Sequence, residues 1–185
     1  MPTQGQTLVN KFNGDTFKFL ETAQDTNGEH VTIEVTLNSK GRTVDDHIHL
    51  IQDETFKVNS GRLTYFVNGE KHYLGAGEVV TLPKNMPHNH YNTDDEPAVY
   101  TQTISPALDI DYFIENLIGM INDGKVKNGK LPFLQAMVTL KYLESPSLLA
   151  NLPRGLQKGL ASVLAPIARL MGYRAIYKKY TGIEK

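Results

Sequence analysis

From Asp15 to Thr103, this chain is a succession of short segments in which apolar and polar residues alternate. In the segment Val31–Leu37, Val, Ile, Val and Leu alternate with Thr, Glu and Thr. This period of two is typical of a β-strand with one buried face. About eight or nine such segments, with turn residues at intervals of roughly 8–12 positions, predict an antiparallel sandwich or barrel.

Turn residues divide this region. Asn68-Gly69 lies between two alternating segments and predicts a two-residue hairpin, because a type I′ turn needs positive φ at both central positions. The last predicted strand contains Val99, Thr101 and Thr103. Residues 1–14 are polar and contain glycine, and we expect them to form a loose N-terminal arm.

The pattern becomes helical after Ser105-Pro106. Helices are predicted over residues 108–121 and 132–143, and a third carries an apolar stripe with helical spacing. The residues of this stripe are Leu156, Leu160, Val163, Leu164, Ile167 and Met171. The sequence therefore predicts a β domain over residues 1–106 and a basic helical extension over residues 107–185.

The apolar stripe must be covered by something. We expect it to pack on the outside of the β domain or on a partner subunit of a homodimer. A weaker alternative is contact with an anionic membrane surface, because Lys158 and Arg169 flank the stripe. Nucleic-acid binding is not expected, since the extension has no recognisable motif and few aromatic residues.

The charge distribution is uneven, although the formal net charge is only −1. Residues 1–123 contain 8 Lys and Arg against 18 Asp and Glu, while residues 124–185 contain 11 against 2. An asymmetry of this size indicates segments with different surroundings. We expect the acidic and basic parts to lie against each other, within one chain or across a dimer.

The absence of cysteine excludes disulfides, thiolate metal sites and cysteine nucleophiles. The N-terminal residues show no basic region followed by an apolar run, which a signal peptide would need. The sequence has no run of about 18 apolar residues, so it does not predict a membrane-spanning helix. A cytoplasmic protein is the resulting expectation.

Three histidines and one glutamate lie close together in the pattern of predicted strands. His47 and His49 are two residues apart on a strand, so both point to one face. Glu54 has the opposite parity unless the chain bends at Gln52-Asp53, after which it shares a face with apolar residues. His88 would join them from a later strand.

A buried carboxylate needs a partner, and three neutral imidazoles with one carboxylate suit a divalent first-row metal with one or two open positions. The competing interpretation is that such histidines are hydrogen-bonded core residues or part of a polar face. His30 and His72 have no such neighbours, and we expect both at the surface. His90 is predicted as a residue of the pocket or of the ligands' surroundings, or as simply solvated.

Two stretches carry a resemblance to a known family. They are GRTVDDHIHLIQDETFKVNSG at residues 41–61 and GEVVTLPKNMPHNHYN at residues 77–92. Their spacings of Gly, His, Glu, Pro and Asn resemble the two motifs of the cupin superfamily of small β-barrel metalloproteins. Asn85 stands where the family usually has glycine, and Asn tolerates left-handed backbone geometry better than most residues.

The resemblance implies a mainly β fold, an antiparallel double-sheet β-barrel or jelly roll, here with a C-terminal α-helical extension. It also implies His47, His49, Glu54 and His88 as ligands of one divalent transition metal. The donor set does not discriminate between Fe, Mn, Ni, Zn and Cu. Six further residues are candidates for the pocket or its surroundings, namely Gln52, Phe56, Tyr65, Met86, His90 and Tyr100. For Phe56 and Tyr65, plain core packing is favoured.

The activity stays open, because cupins include dioxygenases, isomerases, epimerases, decarboxylases, storage proteins and sensor domains. The hypothesis we favour is a metal-dependent enzyme that acts on a small molecule by oxygenase- or isomerase-type chemistry. The alternative is a non-catalytic binding or sensing module whose helical tail contacts a partner.

Overall fold

Two antiparallel β-sheets and a set of C-terminal helices make up the structure, a computed structural model that describes residues 1–38, 40–42, 45–127 and 130–185, without the side chains of 41 and 42. The strands are β1 (Thr7–Val9), β2 (Thr16–Glu21), β3 (Val31–Leu37), β4 (Gly41–Arg42), β5 (His47–His49), β6 (Asp53–Ser60), β7 (Arg62–Val67), β8 (Glu70–Gly75), β9 (Val79–Leu82), β10 (His88–Asn92), β11 (Ala98–Ser105) and β12 (Ser147–Leu149). The helices are α1 (Ile110–Asn122), α2 (Phe133–Tyr142), α3 (Arg154–Leu170) and α4 (Lys178–Thr181).

The strand order is β1-β2-β3-β11-β6-β9 in the first sheet and β12-β5-β10-β7-β8 in the second, where β4 also pairs with β10. The mainly β, double-sheet jelly-roll fold with C-terminal helices is thus confirmed. Within the described residues the two hydrogen-bonded ladders stay separate, so the sheets do not close into a continuous barrel.

The space between the sheets is filled by the inward-facing residues of the alternating segments. In β3 the apolar residues are buried and the polar residues between them are half-buried, as the period of two predicts. In β6, Glu54, Phe56 and Val58 are buried. We call this apolar filling the inter-sheet core. Its fully buried large side chains include Phe19, Ile33, Phe56, Leu63, Tyr100 and Ile104.

One prediction within the β region needs correction and another is confirmed. Residues 1–14 are not a loose arm, because β1 pairs with β2 and Leu8 packs against the inter-sheet core. The predicted last strand with Val99, Thr101 and Thr103 is confirmed as β11. These three residues are half-buried, and the other face of the strand carries the buried Ala98, Tyr100, Gln102 and Ile104. β11 lies between β3 and β6, so its backbone is paired on both sides.

Two turns have the backbone geometry that their sequences predict. Asn68 and Gly69 have φ of 51° and 85°, which confirms the predicted hairpin between β7 and β8. Gly61 has φ of 73°, and a Cβ there would collide with the carbonyl oxygen of Pro97. Gly61 therefore allows the close approach of the chain just before β11.

The C-terminal region contains a strand that the sequence analysis missed. β12 pairs antiparallel with β5, with Ser147 opposite His49 and Leu149 opposite His47. Residues beyond position 106 thus complete the second sheet. The division into units at 106/107 stays a prediction.

The helices share a second apolar cluster, which we call the helical core. Its buried members include Val138 of α2, Ala161, Ala165 and Ala168 of α3, and Ile176. The predicted stripe of α3 lies mostly outside it: Leu156, Leu160, Val163, Ile167 and Met171 are exposed, and Leu164 is half-buried. The expectation that the β domain of the same chain covers this stripe is therefore wrong.

Charged residues of the extension contact the acidic part of the chain. Lys185 Nζ lies 2.8 Å from Asp109 Oδ2, Lys179 pairs with Asp123, and Lys130 Nζ lies 3.9 Å from Asp45 Oδ2. The opposite charges of the two parts thus meet within one chain. Among the described residues, no helix is long and apolar enough to cross a membrane.

Candidate metal centre

The candidate ligands come from three strands. His47 and His49 lie on β5, and His88 begins β10, where it pairs with His47. Glu54 lies on β6 in the opposite sheet. The chain leaves strand geometry from Leu50 to Gln52 and passes from one sheet to the other, so a bend does separate the histidines from Glu54. In the first motif, Thr43 and Val44 lie outside the described residues.

Four ligand atoms converge between the sheets. One atom each from His47, His49, Glu54 and His88 lies within 4.8 Å of every other. His88 Nε2 is 2.9 Å from Glu54 Oε2, and His49 Nε2 is 3.1 Å from Glu54 Oε1. Ligands held about 2.1 Å from one ion at right angles are about 3 Å apart, so these separations fit a shared metal.

One contact in this group is not a hydrogen bond despite its length. His49 Nε2 is buried and has no hydrogen-bond partner, although Glu54 Oε1 is 3.1 Å away, because the two atoms are not aligned as donor and acceptor. A buried imidazole nitrogen without a partner is unfavourable. A metal ion bound to its lone pair would satisfy it.

The other ring nitrogen of each histidine has an acceptor. His47 Nδ1 lies 2.9 Å from the carbonyl oxygen of Asp45, and His88 Nδ1 lies 2.8 Å from that of Met86. His49 Nδ1 lies 3.1 Å from Ser147 Oγ on β12. A proton on each Nδ1 satisfies these contacts and leaves all three Nε2 lone pairs directed at the centre, the usual arrangement of metal-binding histidines.

The electrostatics favour neutral His47 and ionised Glu54. Burial, reinforced by His49, lowers the pKa of His47 from 6.5 to about 3. Burial alone would raise the pKa of Glu54, but His49 and His88 hold it well below its ordinary value. Burial likewise opposes a charge on His88, but the hydrogen bond and charge of Glu54 outweigh it and raise the pKa of His88.

Gln102 and Ser147 are two residues of the centre that the sequence analysis did not identify. Gln102 Nε2 donates to Glu54 Oε1 at 2.9 Å and so orients the carboxylate. A polar residue between inward-facing Tyr100 and Ile104 was the available signal for it. Ser147 had no such signal, because it is 98 residues from His49 in the chain.

The predicted pocket residues fall into two groups. His90, Phe56 and Tyr100 form an aromatic cluster, with ring centroids 4.7 Å apart for Phe56–His90 and 5.6 Å for His90–Tyr100. His90 Nδ1 is buried without a hydrogen-bond partner, and burial lowers the pKa of His90 to about 4. His90 is therefore a neutral imidazole beside the ligands, with one free hydrogen-bonding position.

The remaining three predicted residues have other contacts. Gln52 is buried, and its Nε2 donates to the carbonyl oxygens of Pro106 and Ala107, at 2.8 and 3.1 Å. It thereby fixes the bend between β5 and β6. Tyr65 packs against the inter-sheet core and stacks on His72, and Met86 contributes its carbonyl oxygen to His88.

Asn85 has the left-handed geometry expected at the position where cupins usually have glycine. Its φ is 68°, and its backbone N–H donates to the carbonyl oxygen of His49 at 2.8 Å. The guanidinium of Arg154, at the start of α3, donates to Asn85 Oδ1 at 3.1 Å. The loop before β10 therefore contacts both the ligand strand and the helical extension.

Comparison with known proteins agrees with this geometry. The family described as "Cupin domain" matches residues 33–105, which include all four candidate ligands. No curated protein matches the chain.

Several solved structures are similar at low identity. The structure of KdgF from a Halomonas species is 18% identical, covering 57% of this chain and 91% of that chain with a TM-score of 0.48. A cupin-superfamily sugar phosphate isomerase from Silicibacter pomeroyi is also 18% identical, covering 56% and 75% with a TM-score of 0.47. Identities this low transfer no substrate. The family match, the double-sheet fold and the converging candidate ligands agree in assigning a cupin domain to residues 33–105 of this chain.

Proposed function

We propose that this protein is a metal-dependent enzyme that acts on a small molecule at the His47, His49, Glu54 and His88 centre, by oxygenase- or isomerase-type chemistry. The observation that carries the proposal is the shared orientation of the three imidazoles. Each Nδ1 has an acceptor, and each Nε2 is left for the centre. A divalent metal bound there would supply a Lewis acid or an O₂-binding position.

The chain's own residues would bind and orient the substrate beside the metal. His90 Nδ1 is available to a polar group of a ligand, and Phe56 and Tyr100 flank the same ring. The aromatic rings exclude water from that side. Such a lining favours a small molecule that combines an oxygen group for the metal with an apolar part for the rings.

Metal content is the first test. The protein is stripped with a chelator, reloaded separately with Fe²⁺, Mn²⁺, Ni²⁺, Zn²⁺ and Cu²⁺, and analysed for bound metal. We expect about one ion per chain and its loss in His49→Ala. The matched control is His72→Ala, because His72 is a surface histidine outside the centre. Equal metal content in the two variants would refute the proposed centre.

Turnover is the second test. The loaded protein is assayed against panels of oxygenase and isomerase substrates, and a substrate found in this way is tested with His90→Leu. We expect this variant to keep the metal and to lose turnover, because only the ligand-binding group is removed. Metal binding without turnover of any substrate would favour the alternative below.

The alternative is a sensing module that binds a small molecule without converting it, and one contact favours it. Gln157 of α3 is hydrogen-bonded to the backbone of Leu149 on β12, which pairs with the ligand strand β5. A shift at the ligands would therefore reach α3 through two contacts. Ligands that raise the melting temperature of the loaded protein without being turned over would support this alternative.

A further inference from the structure

The two faces of α3 differ in what they contact. Gln157, Ala161, Ala165 and Ala168 are buried, and the three alanines belong to the helical core. The neighbouring face carries large aliphatic residues that nothing in the described chain covers. Their exposed fractions run from 37% for Leu160 to 90% for Leu170. We call Leu156, Leu160, Val163, Ile167 and Leu170 the α3 seam.

The α3 seam has the spacing of a helix–helix interface. Its members are separated by 4, 3, 4 and 3 positions, which is the alternation of the a and d positions of a heptad repeat. A lone amphipathic surface helix buries its apolar face against its own domain. In α3 the small residues pack against the protein's own helices, and the large residues are left available to pack against another helix.

Charge identifies the kind of partner. Lys158 and Arg169 do not flank the seam, as the sequence suggested, but lie roughly opposite it at about 100° per residue. Arg169 stacks on the ring of Tyr142 in α2. Arg154 is bound to Asn85. The positions beside the seam are Gly159, Leu164, Pro166 and Met171, all uncharged. An acidic protein or an anionic membrane would therefore meet no cations on this face, and a second uncharged face fits it better.

We propose that the α3 seam pairs with the same seam of a second copy of this chain, antiparallel and about a twofold axis at Val163. This arrangement places Leu156 opposite Leu170 of the second copy, Leu160 opposite its Ile167, and Val163 opposite its Val163. Such a seam is self-complementary, as a twofold interface requires. Antiparallel packing also brings the positive end of one helix dipole beside the negative end of the other.

The exposed area is adequate for a stable dimer. Leu149, Leu152 and Met171 adjoin the seam in the chain and are 41–63% exposed. Eight aliphatic side chains, each exposed by about half, offer on the order of 800 Å² per subunit, which is the share of a standard interface. A helix of 17 residues is about 25 Å long and accommodates the whole seam.

Cysteine cross-linking tests the arrangement in the full-length chain, which has no cysteine of its own. Val163→Cys should form a disulfide-linked dimer under mild oxidation. Leu156→Cys alone should not, because its two copies would be about 21 Å apart along the helices, beyond disulfide reach. Leu156→Cys combined with Leu170→Cys should cross-link. Ser162→Cys, next to the seam in sequence but on another face, is the matched control.

Sedimentation equilibrium supplies the second measurement. The unmodified protein and Ser162→Glu should be dimers at micromolar concentration, and Val163→Glu should be monomeric with an unchanged circular dichroism spectrum. A monomeric unmodified protein would overturn the proposal, as would a dimer insensitive to Val163→Glu or cross-linking as efficient at Leu156→Cys as at Val163→Cys. Binding of the monomer to vesicles of neutral and anionic phospholipid, abolished by Val163→Glu, would assign the seam to a membrane instead.

Discussion

At the scale of single residues, the centre depends on the hydrogen-bond acceptors that contact the Nδ1 atom of each histidine. Two of these acceptors are carbonyl oxygens of residues two positions before His47 and His88. The third is the side chain of Ser147, which is therefore the only one of the three that a substitution can remove. Gln102 has a similar role toward the Glu54 carboxylate. Such contacts fix ring orientation and raise ligand basicity.

We predict that Ser147→Ala weakens metal binding by about 10- to 100-fold, the usual effect of losing a partner of a ligating histidine. Without the Ser147 hydroxyl, the His49 ring would be free to rotate and to adopt the other tautomer, which would weaken its bond to the metal. The measurement is a competition titration against a chelator of known affinity. Ser162→Ala, which changes an exposed serine of α3, should bind as the unmodified protein does. Indistinguishable affinities in the two variants would contradict this role.

The pH dependence of the metal-free protein belongs to the same scale. The pKa of His88 is raised above its usual 6.5, so its pairing with Glu54 stabilises the metal-free fold fully below pH 6.5 and is lost as the pH rises through the folded pKa. Metal binding needs neutral His88, so the affinity should fall about tenfold per pH unit below that pKa. His47, with a pKa of about 3, adds no such dependence near neutrality.

Two measurements check this expectation. Histidine resonances of the metal-free protein, assigned with a His88→Gln variant, should show one ring that stays protonated above pH 6.5. Metal affinity measured between about pH 5 and 8 should show the corresponding slope. Affinity that is constant over this range would mean that no ligand proton is displaced.

At the scale of elements, the C-terminal extension is joined to the β-sheets by specific polar contacts. Gln157 accepts a hydrogen bond from the N–H of Leu149 and donates to its carbonyl oxygen, so it covers the outer edge of β12. Asp109, just before α1, accepts hydrogen bonds from the backbone of Glu144 and Ser145 and from the ammonium of Lys185. These contacts position β12, and with it Ser147.

We predict that Asp109→Asn lowers the free energy of unfolding by about 2 kcal/mol at neutral pH, because it removes charge-assisted hydrogen bonds to a buried group. Burial opposes ionisation, but Lys185 and Ser145 lower the pKa of Asp109 from 3.8. Its contribution is thus complete above pH 3.8 and is lost as the pH falls through the folded pKa.

Urea denaturation at several pH values measures this effect. The difference between Asp109→Asn and the unmodified protein should be largest at neutral pH and should shrink below pH 3.8. The matched control is Asp95→Asn, because Asp95 is a surface residue that pairs with exposed Lys40. It should change the stability by less than about 0.5 kcal/mol.

At the scale of the whole molecule, the cupin domain and the helical extension depend on each other. The inter-sheet core includes Ala107 and Ile110 from beyond the predicted boundary at residue 106. β12 covers the edge of β5, which would otherwise expose the ligand strand. Lys130 of the extension also approaches the β domain, with its Nζ 3.9 Å from Asp45 Oδ2.

We predict that a fragment of residues 1–106 is less stable than the full chain and binds metal at least tenfold more weakly, because β5 loses its edge partner and His49 loses Ser147. Thermal unfolding followed by circular dichroism and the same chelator competition would show this. A longer fragment, residues 1–150, retains β12 and serves as the comparison. A 1–106 fragment that matched the full chain in both measurements would make the division at 106/107 a true domain boundary.

Much of the fold and of the candidate centre was predictable from the sequence. The period of two predicted the buried faces of β3 and β6, and Asn68-Gly69 predicted the hairpin turn between β7 and β8. The alternation of side chains along a strand, with a bend before Glu54, predicted that Glu54 faces His47 and His49. These features were predictable because they depend on positions only a few residues apart. The buried face of β11 was harder to predict, because both faces of this strand mix polar and apolar residues. The polar Gln102 lies on the buried face.

The sequence by itself determined the types and spacing of the candidate ligands and the strands that carry them, because side-chain direction along a strand is a local property. The tertiary structure alone decided that Ser147 contacts a histidine 98 residues away. It also decided that α3 buries its small residues and exposes its large ones. An apolar stripe predicts that something covers a helix, but which face meets its own domain depends on how closely the neighbouring helices pack. The close approach of α2 selected the alanines, and the leucines were left exposed.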